Sequence, residues 1–189
     1  MPWRSRGYLP HWDAGEVPQM IGFRLANSLP ASLLEQWHEE LQHLPESEAA
    51  AERRKRIEAA LDTGHCQAWL KDARVAETIE NAFLHFDAER YRLHAWVVMP
   101  NHIHAVATPL GEWTLADIAH SWKSFTATKA NALLGRTGAF WAREYFDRAI
   151  RDQAHYANAI AYTEENPVKA GLCGQPEDWR FSSAWKRRS

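Results

Sequence analysis

The order of hydrophobic periodicities along this 189-residue chain predicts an α+β fold in which helices cover an antiparallel sheet. Three observations carry that reading. Two apolar runs, Tyr91 to Met99 and His102 to Thr108, are separated only by Pro100-Asn101, the pattern of a β-hairpin. A further strand-like run precedes them and another follows. Segments with apolar residues at steps of three and four lie between the strands. The length and the 46% hydrophobic content suffice for one good core and are short for two, so residues 1–189 are read as a single domain.

Each element has its own signal. Residues 1–16 mix Arg4, Arg6, Tyr8, His11 and Trp12 with Gly and Pro and are read as an irregular N-terminal arm. Val17 to Ala26 is the first strand, stopped by Ser28-Leu29-Pro30. Between 31 and 63 the spacing turns helical through Leu33, Leu34, Trp37 and Leu41; Pro45 breaks the run and a second helix begins. This inserted helical hairpin is strongly charged. Its run Arg53-Arg54-Lys55-Arg56 is flanked by Glu52 and Glu58 and is expected to form a solvated face. An apolar stripe of Val75, Ile79, Ala82, Phe83 and Phe86 marks the next helix, from Arg74 to about Asp87. After the hairpin come a long helix from Thr114 to Leu134, a strand with its entry loop within Phe140 to Ile150, and a helix from Asp152 to Glu165. Asn166-Pro167 is expected to end that last helix, because the residue before proline is pushed out of the α region. The tail at 164–189 is expected to pack irregularly.

Composition narrows the function classes. No apolar run reaches the roughly 18 residues a membrane span needs, and the first residues lack the apolar core of a secretory signal. A soluble cytoplasmic protein that makes no use of a membrane is expected. Cys66 and Cys173 lie far apart without a C-x-x-C pair, which favours neither a disulfide framework nor a cysteine zinc site. The net charge of −2 argues mildly against a nucleic-acid binder, but the charge is unevenly spread. Residues 1–100 carry 11 Lys+Arg against 15 Asp+Glu, and residues 101–189 carry 11 against 9. The acidity concentrates in 31–62, which places it away from the candidate chemistry.

That chemistry begins with His102 and His104. Residues two apart on a strand share a face, so two imidazoles stand side by side, an arrangement suited to chelating one divalent ion. The H-x-H pattern alone is a weak signal. Tyr162 and Asn166 are four apart in the last helix and therefore neighbours on its surface. Tyr156, Ala159, Ile160 and Thr163 form that helix's core-facing arc, with Tyr162 on its flank. The Asn166 amide oxygen completes a set of two imidazoles and one oxygen, which leaves open positions and suits Mg²⁺ or Mn²⁺ better than a closed zinc site. A tyrosine phenolate beside such an ion can displace a sugar 3′-oxygen from a phosphodiester and keep the bond as a phosphotyrosine.

Three ordered motifs, YRLHAWVVMPNHIH at 91–104, WAREYFD at 141–147 and YTEENPVKAG at 162–171, together resemble the REP-associated tyrosine transposases of bacteria, and RGYLPH at 6–11 is similar to their N-terminal arm. These belong to the wider HUH nucleases, named for two histidines around an apolar residue, here Ile103. The resemblance implies a ferredoxin-like domain, a divalent metal, and Tyr162 as the single catalytic tyrosine. It also implies DNA transposition and recombination chemistry on single-stranded hairpins, the repetitive extragenic palindromes, in a nucleoid-associated, monomeric protein. Candidate DNA contacts are Arg4, Arg6, Tyr8, Lys123, Ser124, Arg143, Arg148, His155 and Lys169, with Lys129 on the same helix as Lys123 and Ser124. Two other readings stay open on sequence: a hairpin-binding protein that does not cut, and a histidine-metal phosphoesterase in which Tyr162 is structural.

Overall fold

The computed structural model describes residues 3–5, 10–12, 15–63 and 67–188. In chain order its elements are β1 (Trp3–Ser5), β2 (Pro10–Trp12), β3 (Gln19–Arg24), α1 (Ala31–Leu41), α2 (Glu46–Asp62), a 3₁₀ turn (Trp69–Lys71), α3 (Ala73–His85), β4 (Tyr91–Val98), β5 (His102–Pro109), α4 (Leu115–Leu133), β6 (Phe146–Ala149), α5 (Gln153–Lys169), a second 3₁₀ turn (Pro176–Asp178) and α6 (Ser183–Arg188). Among the described residues no helix is long and apolar enough to cross a membrane. Cys173 is a free thiol, and Cys66 lies outside the described residues.

The main sheet has the order β4-β5-β3-β6, and each neighbouring pair is antiparallel. Its strands thus follow the split pattern of a ferredoxin-like sheet, in which two crossovers place the first strand between the third and the fourth. The expected α+β architecture is present, with the α1–α2 hairpin inserted into the first crossover.

Alternation on the strands sorts the core into two layers. On one face, Ile21, Phe23, Trp96, Ile103 and Ala105 pack with Val75, Ile79 and Phe83 of α3 and with Ile118 and Trp122 of α4. Trp122 donates to the Tyr91 hydroxyl at 3.0 Å, and that hydroxyl donates to the Phe83 carbonyl at 2.8 Å, so this deepest polar group is satisfied. On the other face, Met20, Ala95 and Val106 meet Ala159 of α5, with Tyr156, Ile160 and Tyr162 packed around them. The helix starts follow capping rules: Asp72 caps α3, Asp152 caps α5, and Thr114 with Asp117 forms a capping box on α4.

Three expectations are corrected. The N-terminal segment is not wholly irregular, since β1 and β2 pair as a small antiparallel ribbon. Helix α5 does not stop at Asn166 but continues through Pro167 to Lys169. Proline removes one donor, yet the Ala170 N–H still reaches the Asn166 carbonyl, and Gly171, at φ +68°, lets Leu172 return to the Pro167 carbonyl. Burial of Asn166 and Pro167 outweighs the local preference of a residue before proline. The C-terminal tail is also ordered. Val98 donates to the Phe181 carbonyl and Trp179 donates to the Val98 carbonyl, so residues 179–183 cover the outer edge of β4.

Removing the Tyr91 hydroxyl should strand the Trp122 donor in the core. Tyr91→Phe is expected to cost about 1–3 kcal/mol of stability, read as a lower urea midpoint with an unchanged slope.

Candidate active site

His102 and His104 stand on β5, the strand that pairs with both β4 and β3. Both side chains are buried, at 2% and 4% exposure, and their ring centroids are 4.9 Å apart. Across the sheet Gly22 pairs with His104, and a Cβ placed at Gly22 would lie 3.0 Å from His104 Nδ1. Glycine at this register position clears the space the imidazole occupies.

The two rings have different supports. His102 Nδ1 is 2.7 Å from Asn101 Oδ1, while Asn101 Nδ2 donates to the Leu61 carbonyl at 2.9 Å. A carbonyl can only accept, so the Asn101 amide orientation is fixed and its oxygen faces His102. Nδ1 of His102 must then carry the proton, which leaves Nε2 with the lone pair. His104 has no such partner: both its ring nitrogens are buried without a hydrogen bond. Burial pushes both imidazoles down, His102 well below its ordinary value with help from its neighbour His104, and His104 to about 4 with help from Arg54. Both are neutral at physiological pH and able to coordinate a cation. An unsatisfied buried imidazole beside a second one fits a divalent metal, which would satisfy the orphaned nitrogen. Among the described residues no third His, Cys, Asp or Glu joins the pair, so this donor set leaves room for an amide oxygen, water and a phosphate oxygen.

Tyr162 comes to the same place from α5. Its ring centroid is 5.6 Å from that of His104, on the sheet face that α5 covers. Asn166 follows one helical turn later, buried at 3% exposure in the stripe that includes Ala159 and Thr163. Because the helix runs on through Pro167, Asn166 keeps its helical register with Tyr162.

The inserted hairpin was expected to be a solvated, acidic element away from the chemistry. It is instead the roof of the site. A cavity of about 730 Å³ opens between α1, α2 and the sheet, lined by His102, His104, Arg24, Arg54, Glu58 and Arg143 among others. Arg54 lies over the Phe146 ring at 4.2 Å, and its Nε is 3.6 Å from Glu58 Oε1. The Glu58 carboxylate and the Tyr162 hydroxyl are near enough for each to act on the other's proton affinity. Burial first, and the negative charges of Glu58 and Asp62 next, push the Tyr162 phenol well above its ordinary range. Burial also pushes Glu58 up and takes Asp62 to about 6. Charge runs on a helix are usually solvated; here an apolar sheet face and a hairpin fold turn one side of the run inward. Two residues at the site thus escaped sequence reasoning. Asn101 was read only as a turn residue, although a polar side chain next to H-x-H was a usable signal. Glu58 gave no local signal at all.

The candidate DNA contacts divide. Arg143 lines the cavity, and Arg148 is exposed on β6 opposite Met20, hence on the histidine face. Lys169 sits 5.0 Å from the Tyr162 ring centroid and pairs with Glu165 at 3.1 Å. Lys123 points inward, donating to the carbonyls of Ala142 and Arg143 at 2.8 and 2.9 Å; burial takes its pKa down to about 8. Its role is to tie α4 to the segment before β6. Ser124 and Lys129 line a shallow depression on α4, on the side of the sheet away from the histidines. His155 helps close the start of α5, its Nδ1 accepting from the Arg151 N–H at 3.3 Å. Arg4 falls on β1, and Arg6 and Tyr8 lie outside the described residues.

No protein-family model matches the chain. It is 30% identical over 97 residues to a REP-associated tyrosine transposase of Escherichia coli K12, which covers 49% of this chain and 54% of the relative. A Haemophilus influenzae protein bearing the same family name is 38% identical over 48 residues, or 25% of this chain and 27% of that protein. The chain therefore spans about half the length, or less, of the curated relatives it matches. Its fold is similar to a solved structure described as a REP-associated tyrosine transposase bound to a REP hairpin, with TM-score 0.58 and 19% identity over 97% of this chain and 83% of that one. Part of its sequence is thus similar to REP-associated tyrosine transposases, and its fold is similar along nearly the whole chain to that of one solved member.

Proposed function

We propose that this protein is a single-strand DNA nuclease and strand transferase that cuts REP-type hairpins with Tyr162, assisted by Mg²⁺ or Mn²⁺ at His102 and His104. The observation that carries the reading is the approach of Tyr162 to His104 within one chain. A hydrolase that used water would have no need of a phenol at that place. Nor would a protein that only binds hairpins need two buried, neutral imidazoles, one of them without a hydrogen bond. Both nucleophile and metal ligands belong to the same polypeptide, which supports action as a monomer.

His102 Nε2 and His104 would hold the ion, with the Asn166 amide oxygen as the nearest candidate for a third ligand. When bound, the ion supplies electrostatic stabilisation of the charge that builds on the scissile phosphate. Asn101 keeps His102 in the tautomer that presents its lone pair. Tyr162 attacks the phosphorus; the bond from phosphorus to the 3′-oxygen breaks, giving a 5′-phosphotyrosine and a free 3′-hydroxyl. Because the covalent link conserves the phosphodiester bond energy, a second 3′-hydroxyl can reverse the step and join a new end. Arg143, Arg148 and Lys169 are the retained candidates for phosphate contacts near the cut.

The direct test is incubation with single strands of the repeated hairpins of its own genome and Mg²⁺ or Mn²⁺, followed by a denaturing gel. A nicked strand and a protein–DNA adduct are expected, and Tyr162→Phe should abolish both; undiminished cutting by Tyr162→Phe would remove the nucleophile assignment. Asn101→Leu should weaken Mn²⁺ binding about 10–100-fold, measured calorimetrically, while Tyr162→Phe should bind Mn²⁺ like the parent. The histidines also set a pH response. Their folded pKa values lie below the unfolded value near 6.5, so the unfolded chain binds more protons between the two. The stability contributed by keeping them neutral is present above about pH 6.5 and is lost as pH falls toward about 4. The metal-free melting temperature should therefore drop across that window, and less so in His104→Gln.

A further inference from the structure

The α1–α2 hairpin does not close onto the sheet. Stripes at three- and four-residue steps turn inward from both helices, Leu34, Glu35 and His38 on α1 and Arg54, Ile57 and Leu61 on α2. Between them and the sheet the cavity of about 730 Å³ stays open. Helices that serve stability alone pack down until few voids larger than a water molecule remain. This space is instead within the roughly 300–1,000 Å³ that sites for small organic groups occupy. Its walls are fixed by contacts between elements. Arg53 donates to His38 Nδ1 at 2.9 Å, clasping α2 to α1, and the Asn101 amide donates to the Leu61 carbonyl at 2.9 Å, tying α2 to the sheet.

Two kinds of group line the space. Leu34, Ile57 and Phe146 are partly buried apolar side chains, contributed by α1, α2 and β6. Beside them stand Arg54 and Arg143. Arg54 is 3.6 Å from Glu58, yet its Nε makes no hydrogen bond, and Arg143 is exposed on the segment before β6. An apolar slot flanked by cations, lined also by His102 and His104, matches one part of a single-stranded nucleic acid, an unpaired base with its phosphate.

We propose that this cavity is a specificity pocket for one unpaired nucleotide of the strand being cut, adjoining the phosphate at His102 and His104, with the inserted hairpin as its outer wall. The inference rests on the reading of hairpin single strands as the substrate. The base enters between Leu34 and Ile57 on one side and Phe146 on the other, leaving water as it does so. Its phosphate takes charge-assisted hydrogen bonds from Arg54 and Arg143. A paired base cannot enter, since its edge is occupied and its faces are stacked on neighbours. The pocket thus distinguishes the unpaired flank of a hairpin from its stem.

The test measures, by fluorescence anisotropy without metal, the binding of hairpin strands in which each unpaired flanking nucleotide in turn is made abasic. In the parent, loss of one particular base is expected to weaken binding about tenfold, and loss of any other by less than about twofold. Ile57→Trp and Leu34→Trp fill the cavity from α2 and from α1. Each should bind the intact strand about tenfold more weakly and show no further loss at that one abasic position. Arg143→Ala, altered only at an exposed side chain, should weaken intact and abasic strands alike. The absence of any position-specific penalty in the parent would overturn the pocket whether or not the tryptophan variants fold, and so would a penalty that a folded tryptophan variant retains. Nicking of the same strands with Mg²⁺ reads the Tyr162 assignment separately. A one-position penalty without nicking keeps the pocket and removes the nucleophile, nicking without such a penalty does the reverse, and a parent that binds no hairpin strand removes both.

Discussion

A β-strand presents successive side chains to opposite faces of its sheet, and the architecture depends on how β5 uses that constraint. Ile103 and Ala105 enter the core beneath α3 and α4, while His102 and His104 emerge on the face covered by α5 and α2. One strand therefore anchors the larger hydrophobic layer and displays the two neighbouring imidazoles. A register slip of one residue would bury the imidazoles in the apolar layer and expose Ile103 to the cavity. The pairing of β5 with β3 and β4 on its two sides makes such a slip costly, and it fixes the histidines more firmly than any loop would.

Holding two imidazoles in a dry sheet face has consequences for everything around them. They must be neutral, and each polar nitrogen needs a partner. Asn101 supplies one partner and in the same contact ties the site to α2 through Leu61. Gly22 supplies space. Both ring nitrogens of His104 are buried without a hydrogen bond. The second layer of the fold thus behaves as a binding face built to core standards of packing, with α5 delivering Tyr162 along its edge.

The charged hairpin changes meaning in this setting. Arginine and glutamate on α2 are partly sheltered against the sheet, where their charges act on the titration of Tyr162 and His104 more strongly than they would in water. The net charge of −2 is consequently a poor guide to the site. Its cavity carries Arg24, Arg53, Arg54 and Arg143 next to Glu35, Glu58 and Glu144, a locally charged lining that averages out in composition.

The sequence by itself determined the order of the four main strands with the helices between them and the hairpin carrying His102 and His104, because these follow from periodicities of two and 3.6 that act over a few residues. It also showed Asn166 one turn from Tyr162, although proline chemistry pointed to the wrong helix end there. Only the tertiary structure decided that α5 runs on through Pro167, that Lys123 turns inward, and that residues 179–183 protect the β4 edge. It alone brought Asn101 and Glu58 to the site, since contacts across 40 residues of chain, as between Asn101 and Leu61, leave no local pattern and arise from the packing of an inserted hairpin on a sheet face.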